Sequence, residues 1–441
     1  MNAGPRYGAL FGPAVFGVTA AGVALPDVAA ALDATPSAVA WVLTAHALAL
    51  GVGTAFFGRL ADARGLRVSL LAGSVLLAVG AAVCLLAPGL GTLVAGRLVL
   101  AAGSGAMTSG AVTLCASAAP EERARVLAGF GAVVAVFSAG ATLAGGVLTA
   151  WVTWRVALVL PALSLLAVPL CLRPAGARRG SGRRLDLPGA ALLTVAAASF
   201  LLLVQVPALG LGARAGVALG AAFVGAGGLL VWRVRTAEGA FVPGWLIADR
   251  LLLRVAVTGA CMYAGLFAAM YVTPQLLVRE YGWGVTAVGA WLLPGAVVGA
   301  VLSRLAGRLP MAAGGAPLLA GTALAMAAVS GVGSWVTAAA VPVVGASLGF
   351  AAFAVTQVVG TALLSRRVEP GQRGGALGLL NLAFFVGGGI GSATAGALAV
   401  YVSLGAVLGL VAAFPLLAAV SALTLAGRPW RDRRVVGEPG A

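Results

Sequence analysis

Gly58-Arg59-Leu60-Ala61-Asp62-Ala63-Arg64-Gly65-Leu66-Arg67 holds every acidic or basic residue between Asp33 and Arg97, apart from the single histidine, His46. On either side lie apolar stretches, about 38–57 and 68–88, each close to the ~20 residues an α-helix needs to cross a bilayer. A short, charged connection between two such stretches reads as a hairpin of membrane-crossing helices. Its glycines permit a tight turn, its acid faces the inner ends of neighbouring helices, and its arginines flank that acid. An aspartate placed near another helix's N-terminus gains dipole and hydrogen-bond interactions that are made or broken as helices shift, so Gly58, Arg59, Asp62, Gly65 and Arg67 form a candidate charge latch. The same residues would also serve as an ordinary arginine-anchored turn.

The pattern repeats along the chain. Of its 441 residues 61% are hydrophobic and 9% charged, against about 25% charged in a soluble domain, which excludes a soluble enzyme, a disordered protein and a nucleic-acid-binding domain. Polar breaks delimit fourteen candidate helices, approximately 8–26, 38–57, 68–88, 91–116, 124–149, 152–172, 187–206, 213–232, 251–277, 285–307, 314–333, 336–364, 374–399 and 402–426. The expected fold class is an all-α polytopic membrane protein with 14 transmembrane helices. The first run is followed by Pro26-Asp27 rather than a small-residue cleavage site and is read as a retained span.

All 28 basic residues are arginines. With the N-terminus cytoplasmic, outer loops hold only Arg155, Arg214 and Arg279, and twenty-four arginines face inward. Arg428, Arg431, Arg433 and Arg434 put the C-terminus on the same side, which fits an even number of spans. The net charge of +16 is thereby a topology signal and implies no nucleic-acid partner. Cys84, Cys115, Cys171 and Cys261 lie in apolar stretches without a C-x-x-C pair, so neither disulfide nor zinc is expected.

The longest charged break, Arg173 to Asp186, reads as a cytoplasmic linker. Pro120-Glu-Glu-Arg123 is echoed by Pro370-Gly-Gln-Arg373, and Arg59-Leu60-Ala61 by Arg304-Leu305-Ala306. Two related six-span halves with an inserted pair follow: 1–172, an N-terminal six-helix bundle; 173–250, linker and two inserted helices; 251–427, a C-terminal six-helix bundle; 428–441, a cytoplasmic tail.

Charge inside hydrocarbon costs several kcal/mol, so ionisable groups retained there are functional candidates. Arg97 lies within span four, His46 in span two and Asp27 at the outer end of span one. With one histidine and no embedded carboxylate pair, intramembrane metalloprotease and aspartyl protease chemistry lacks its groups, and neither a metal nor a cofactor is implied. His46 is either a proton carrier, its pKa being the closest to neutrality, or a packed, neutral filler. Asp27 is either an outer-gate carboxylate or the cap that ends span one. Gln205, Gln275, Gln357, Asn381, Thr356 and Tyr271 must in part face the bundle interior. Tyr263, Trp291, Phe384 and Phe385 could wall a cavity for amphipathic molecules, although each could equally be packing.

The Gly58–Arg67 motif resembles the signature loop of the major facilitator superfamily, G-x-L-A-D-x-x-G-x-R. Within it the chain resembles fourteen-span drug:proton antiporters, most closely the tetracycline and multidrug efflux proteins of Gram-positive bacteria. The likeness is carried by Val23-Ala-Leu-Pro26-Asp27, Trp41-Val-Leu-Thr-Ala45, Gly53-Thr-Ala-Phe-Phe-Gly58, Gly96-Arg97, Trp154-Arg155, Leu185-Asp-Leu-Pro-Gly189 and Gly378-Leu-Leu-Asn381. It implies rocker-switch alternating access around a central cavity, with an amphipathic small molecule expelled in exchange for protons. By the same resemblance His46 stands where an aromatic is usual, and Gln357 and Asn381 border the cavity.

The chain departs from that family at its acids. Phe16-Gly17-Val18-Thr19 in span one and Gly387-Gly-Gly389 in span thirteen carry none, nor does Gly307 in the loop between spans ten and eleven. The span-five motif reads Ala141-Thr-Leu-Ala-Gly145-Gly146, keeping the helix-packing glycines Gly145 and Gly146 but not the proline; Leu100 replaces a glutamine. Such a cavity suits a neutral, zwitterionic or anionic substrate. The expectation is therefore an exporter, not an enzyme, in a bacterial inner (cytoplasmic) membrane. Both termini would be cytoplasmic, His46, Asp27 and Arg97 would carry proton coupling, and the partners would be an amphipathic small molecule, protons and lipid around a monomer. His46, Arg97, Gln275, Gln357, Asn381, Tyr271 and Phe384 are the expected cavity residues. The alternatives are uncoupled or differently coupled export of a neutral or anionic metabolite, and a non-transporting membrane sensor.

Overall fold

In lipid every backbone polar group must be satisfied within its own segment, and a chain this rich in Ala, Leu and Val meets that demand as helices. The computed structural model describes residues 3–177, 180–182, 184–206, 209–237, 239–308, 315–333, 335, 338–368 and 373–426. The helices are α1 (Ala3–Phe11), α2 (Phe16–Ala31), α3 (Pro36–Arg64), α4 (Leu66–Leu86), α5 (Leu90–Ala116), α6 (Pro120–Trp151), α7 (Trp154–Val159), α8 (Val168–Gly176) and α9 (Leu187–Val204). They continue with α10 (Ala213–Thr236), α11 (Gly244–Ala248), α12 (Arg250–Arg279), α13 (Val285–Arg308), α14 (Ala316–Val332), α15 (Ala340–Arg367), α16 (Arg373–Leu398), α17 (Leu404–Val411) and α18 (Ala413–Ala426). Side-chain caps mark several starts: Thr35, Thr153, Asp186, Asp249 and Ser403 each accept a backbone N–H of the first turn. Two tighter 3₁₀ turns, Gly12–Val15 and Leu160–Leu166, each contain a proline with no N–H to give, Pro13 and Pro161.

Among the described residues twelve helices are long and apolar enough to cross a bilayer, and the pair Trp154–Leu166 and Val168–Gly176, bent by 42°, makes a thirteenth if taken as one span. The remaining expected segment, 314–333, is the 17-residue helix Ala316–Val332, apolar but shorter than the usual spanning length. Span one runs on to Ala31, so Asp27 lies within α2 and does not end it. The charged connection is shorter than its sequence suggests. α3 stays helical to Arg64 and only Gly65, at φ 97°, breaks it before α4. Arg59 and Asp62 are therefore three residues apart on one helix, facing the same way. The tail 428–441, the repeat residues Pro370, Gly371 and Gln372, and Arg178, Arg179 and Arg183 of the linker lie outside the described residues.

α3 and α4 pack on α5, and α1 and α2 on α6; later in the chain α12 packs on α15, α16 and α18, α13 on α15, and α14 on α15 and α18. Between these two groups α3 lies along α16, α6 along α13 and α2 along α12. Lipid offers no hydrophobic drive between helices, so these contacts rest on small residues that let backbones close up. A Cβ on Gly378 would come 3.0 Å from the Thr54 carbonyl, and one on Gly22 2.9 Å from that of Met270. Thr44 and Ser392 share a hydrogen bond of 2.8 Å across the α3–α16 seam. α9 lies over that seam, with Ala197 and Leu201 packed against Leu48 of α3 and Ala393 of α16. α10 pairs with α9 and buries only Ala226.

Candidate functional site

At the end of the molecule that carries Gly65, the candidate latch residues Arg59 and Asp62 meet the start of α16. A Cβ on Gly375 would lie 3.2 Å from the Arg59 Cδ and 3.5 Å from the Asp62 Oδ2, so the aspartate stands within the first turn of a helix N-terminus. Arg67 is exposed. The Arg59 Nη2 donates to the carbonyls of Phe241 at 2.9 Å and Ala240 at 3.3 Å. Phe241 is in turn held by its own N–H, which donates to Asp186 Oδ2 at 2.9 Å. Asp186 caps α9 through Gly189 N at 3.0 Å and pairs with Arg233 Nε of α10 at 2.6 Å. Burial by itself would raise the Asp186 carboxyl, but the hydrogen bonds from Gly189, Phe241 and Arg233 outweigh it and hold the group below the usual carboxylate range. The segment after α8 is stitched to the same place, Ser181 N donating to the Asp62 carbonyl at 2.8 Å and Gly182 N to that of Ala63 at 3.1 Å.

Deeper in the first group of helices, Arg97 is fully buried on α5 and spans three neighbours. Its Nη1 donates to Leu158 O at 2.8 Å, where α7 gives way to the 3₁₀ turn. Its Nε donates to Val42 O of α3 at 3.4 Å, and its Nη2 to Gly17 O of α2 just past the other 3₁₀ turn. Proline-broken helices leave carbonyls short of donors, and a guanidinium with five N–H groups supplies them. His46 is also fully buried, and its ring lies on Gly17, where any Cβ would collide with it. Neither ring nitrogen has a hydrogen-bond partner among the described residues. His46 thus faces α2 and Arg97 inside its own group of helices, whereas Thr44 and Leu48 of the same helix face the seam with α16. Asp27 is half-buried near the opposite end of α2.

Between α3, α5 and α16 remains a cavity of about 10 Å³, lined by Thr54, Ser109, Val112, Thr113, Leu377, Gly378 and Asn381. Asn381 therefore lies at the seam. One turn further along α16, Phe384 and Phe385 surround the Tyr263 ring together with Phe353 and Phe267, with centroid separations from Tyr263 of 5.1, 5.3, 4.6 and 6.3 Å. Phe384 fits because Gly259 and Gly360 present bare backbone to it, while Phe385 reaches Gly51 across the seam. The Tyr263 hydroxyl is buried without a partner among the described residues, as are the Oε1 atoms of Gln275 and Gln357 and both amide atoms of Gln205. Gln275 Nε2 donates to Tyr271 O at 3.1 Å, and Tyr271 is fully buried beside it on α12. Trp291 is no part of the wall. It is 61% exposed, turned outward next to Trp283.

At the far end, Gly145 and Gly146 face different helices. A Cβ on Gly145 would stand 2.7 Å from Ala20 of α2, and one on Gly146 2.6 Å from the carbonyl of Val285 and 3.0 Å from Thr286 of α13. Thr286 Oγ1 donates to Gly146 O at 3.4 Å. Sequence reading missed Phe353, the Thr44–Ser392 bond and the Asp186–Phe241–Arg59 chain. The only signal for the last was Leu185-Asp-Leu-Pro-Gly189, a capped helix start, with nothing in it to indicate what else the aspartate holds.

Comparison with known proteins agrees with this architecture. The chain is 28% identical over 314 residues to the multidrug resistance protein Stp of Mycobacterium tuberculosis, covering 69% of this chain and 58% of that protein. It is 35% identical over 178 residues to the puromycin resistance protein pur8 of Streptomyces alboniger, 40% of this chain and 35% of the relative. It is 36% identical over 190 residues to the cephamycin export protein CmcT of Amycolatopsis lactamdurans, 41% and 38% of the two chains. The matched stretches thus span less than two thirds of these relatives' lengths. The crystal structure of the human organic anion transporter MFSD10 (TETRAN) superposes with a TM-score of 0.60 at 16% identity, over 95% of this chain and 97% of that one, a likeness of fold alone. The pattern of the Major Facilitator Superfamily matches residues 9–359, most of the chain, and the chain belongs to that family.

Proposed function

We propose that the protein exports an antibiotic or other amphipathic drug-like metabolite from a bacterium, exchanging it for protons by rocker-switch alternating access. The observation that carries this reading is closure at both ends of one seam. α16 meets Thr54, Arg59 and Asp62 at one end, and α13 meets Gly146 at the other, all through small residues. Parting either end alone would open the middle to one side of the membrane. The relatives named for puromycin resistance, multidrug resistance and cephamycin export support the substrate class.

The residues 1–172 and 251–427 act as the two moving bundles, with both termini cytoplasmic and the latch on the cytoplasmic side. Asp62 of α3, beside the first turn of α16, stabilises the inward-closed arrangement. Tyr263, the Phe384–Phe385 pair, Gln275, Gln357 and Asn381 become cavity wall when the bundles part. Among the described residues Arg97 is the only acid or arginine with a fully buried side chain, which disfavours a strongly cationic substrate. His46, the titratable group beside Arg97, is the proton site.

The test uses inside-out vesicles with a respiration-driven proton gradient, read with a pH-sensitive dye while tetracyclines and other neutral, zwitterionic, anionic and cationic amphiphiles are added. Collapse of the gradient by one compound, only with this protein present, is the expected result. Accumulation of a compound without any proton release would refute antiport in favour of uncoupled export. Asp62→Asn should abolish turnover while sparing substrate binding.

A further inference from the structure

The latch is built on a peptide group that belongs to neither bundle. The N–H of the Ala240–Phe241 peptide donates to Asp186 Oδ2 at 2.9 Å, while the C=O of the same peptide accepts from Arg59 Nη2 at 3.3 Å and the Phe241 carbonyl accepts from it at 2.9 Å. Hydrogen bonds in such a series polarise one another, and the carboxylate at one end strengthens the acceptor presented to the guanidinium at the other. Asp186 is itself fixed by Gly189 N and Arg233 Nε, so the head of α9 and the end of α10 set its position. The Phe241 ring is buried against Ala55 of α3, Ala190 of α9, and Leu379 and Leu382 of α16, at the point where the seam ends. Arg59 then reaches Gly375, the third residue of α16, from the other side.

We propose that Asp186 is a positioning residue of the latch: through the Ala240–Phe241 peptide it holds Arg59 against the start of α16, so that the α9–α10 pair sets how readily the seam opens at that end. This rests on the latch reading given above and adds to it a role for the inserted pair. That pair is otherwise exposed along most of α10, and its contacts run down the α3–α16 seam from Phe241 through Leu201 to Gln205 beside Ala40 and Gly396. An element that served only as a lipid-facing filler would not need a buried carboxylate, 7% exposed, with three polar contacts shared among α9, α10 and the Phe241 segment.

Hydrogen–deuterium exchange of the full chain in lipid nanodiscs tests this without knowledge of the substrate. Asp186→Asn, Arg59→Gln, their double mutant and Asp62→Asn are compared with the unmodified protein. Asp186→Asn is expected to speed exchange about tenfold in residues 62–67 and in the first turns of α16. The same is expected of Arg59→Gln, and the double mutant should go no further than the stronger single change. Asp186→Ser, which keeps a side-chain cap for Gly189 N but loses the second carboxylate oxygen, should behave alike and stands in if the asparagine variant does not fold. Additive effects in the double mutant, or faster exchange confined to α9 and α10, would overturn the proposal and leave Asp186 as a staple of the inserted pair. Unchanged exchange at the start of α16 in Asp62→Asn would instead overturn the latch reading, and the proposal with it.

Discussion

Gly145 and Gly146 are adjacent, yet their substitution should produce two different phenotypes. A Cβ on Gly146 would lie 2.6 Å from the Val285 carbonyl oxygen, against an ordinary contact of 3.4 Å or more, so α6 and α13 must part by about 0.8 Å. A Cβ on Gly145 meets Ala20 at 2.7 Å and asks nearly the same of α6 and α2. Overpacking of this size costs about 1–3 kcal/mol when the neighbours cannot separate. α2 cannot, since it is tied to α5 by the Arg97 bond to Gly17 and wedged against α6 by the Phe16–Phe137 contact. α13 can, if the bundles rock. Gly145→Ala should therefore lower thermal stability, whereas in Gly146→Ala the same energy should appear as opening of the far end, a shift of roughly 5- to 150-fold in the closed-to-open ratio. Thermal unfolding and hydrogen exchange at residues 284–292 separate the two. Equal losses of stability, with exchange at 284–292 unchanged in both, would refute the assignment of the α6–α13 contact to a moving interface.

His46→Leu removes two unpartnered ring nitrogens from a buried site, so thermal stability should hold or rise while substrate-driven proton release is lost; retained release would return His46 to simple packing. Tyr263→Phe should likewise be neutral or stabilising by about 1 kcal/mol, since the hydroxyl it deletes has no partner among the described residues, yet should weaken binding of an aromatic substrate measured by direct uptake. For Asp186 the folded pKa is depressed, so its contribution is complete above the ordinary carboxylate pKa of about 4 and is lost as pH falls through the lower folded value. The difference in melting temperature between the native protein and Asp186→Asn should accordingly persist from neutral pH down to about 5 and vanish in stronger acid.

The chain's own order of residues determined the membrane class and nearly all the helices. Uncharged runs of the right length can satisfy their backbones in lipid only as helices, and that demand is local. It also singled out the Gly58–Arg67 cluster, because ten residues holding every acid and arginine between two such runs have nowhere to lie but at a bilayer surface. The same local logic set limits. The connection reads as a loop, yet no residue before Gly65 obliges α3 to stop, and the helix carries Arg59 and Asp62 with it. Trp291 and Phe384 look alike in sequence, but one faces outward and the other fills the space beside Gly259, because lipid and protein core accept the same side chains. Only tertiary structure turned His46 from the seam toward Gly17, gave Arg97 three carbonyls from three neighbouring elements, and set the Ala240–Phe241 peptide between Asp186 and Arg59, with Ala240 181 positions from Arg59. No spacing along the chain encodes such contacts, since they depend on which face each helix presents once all have packed.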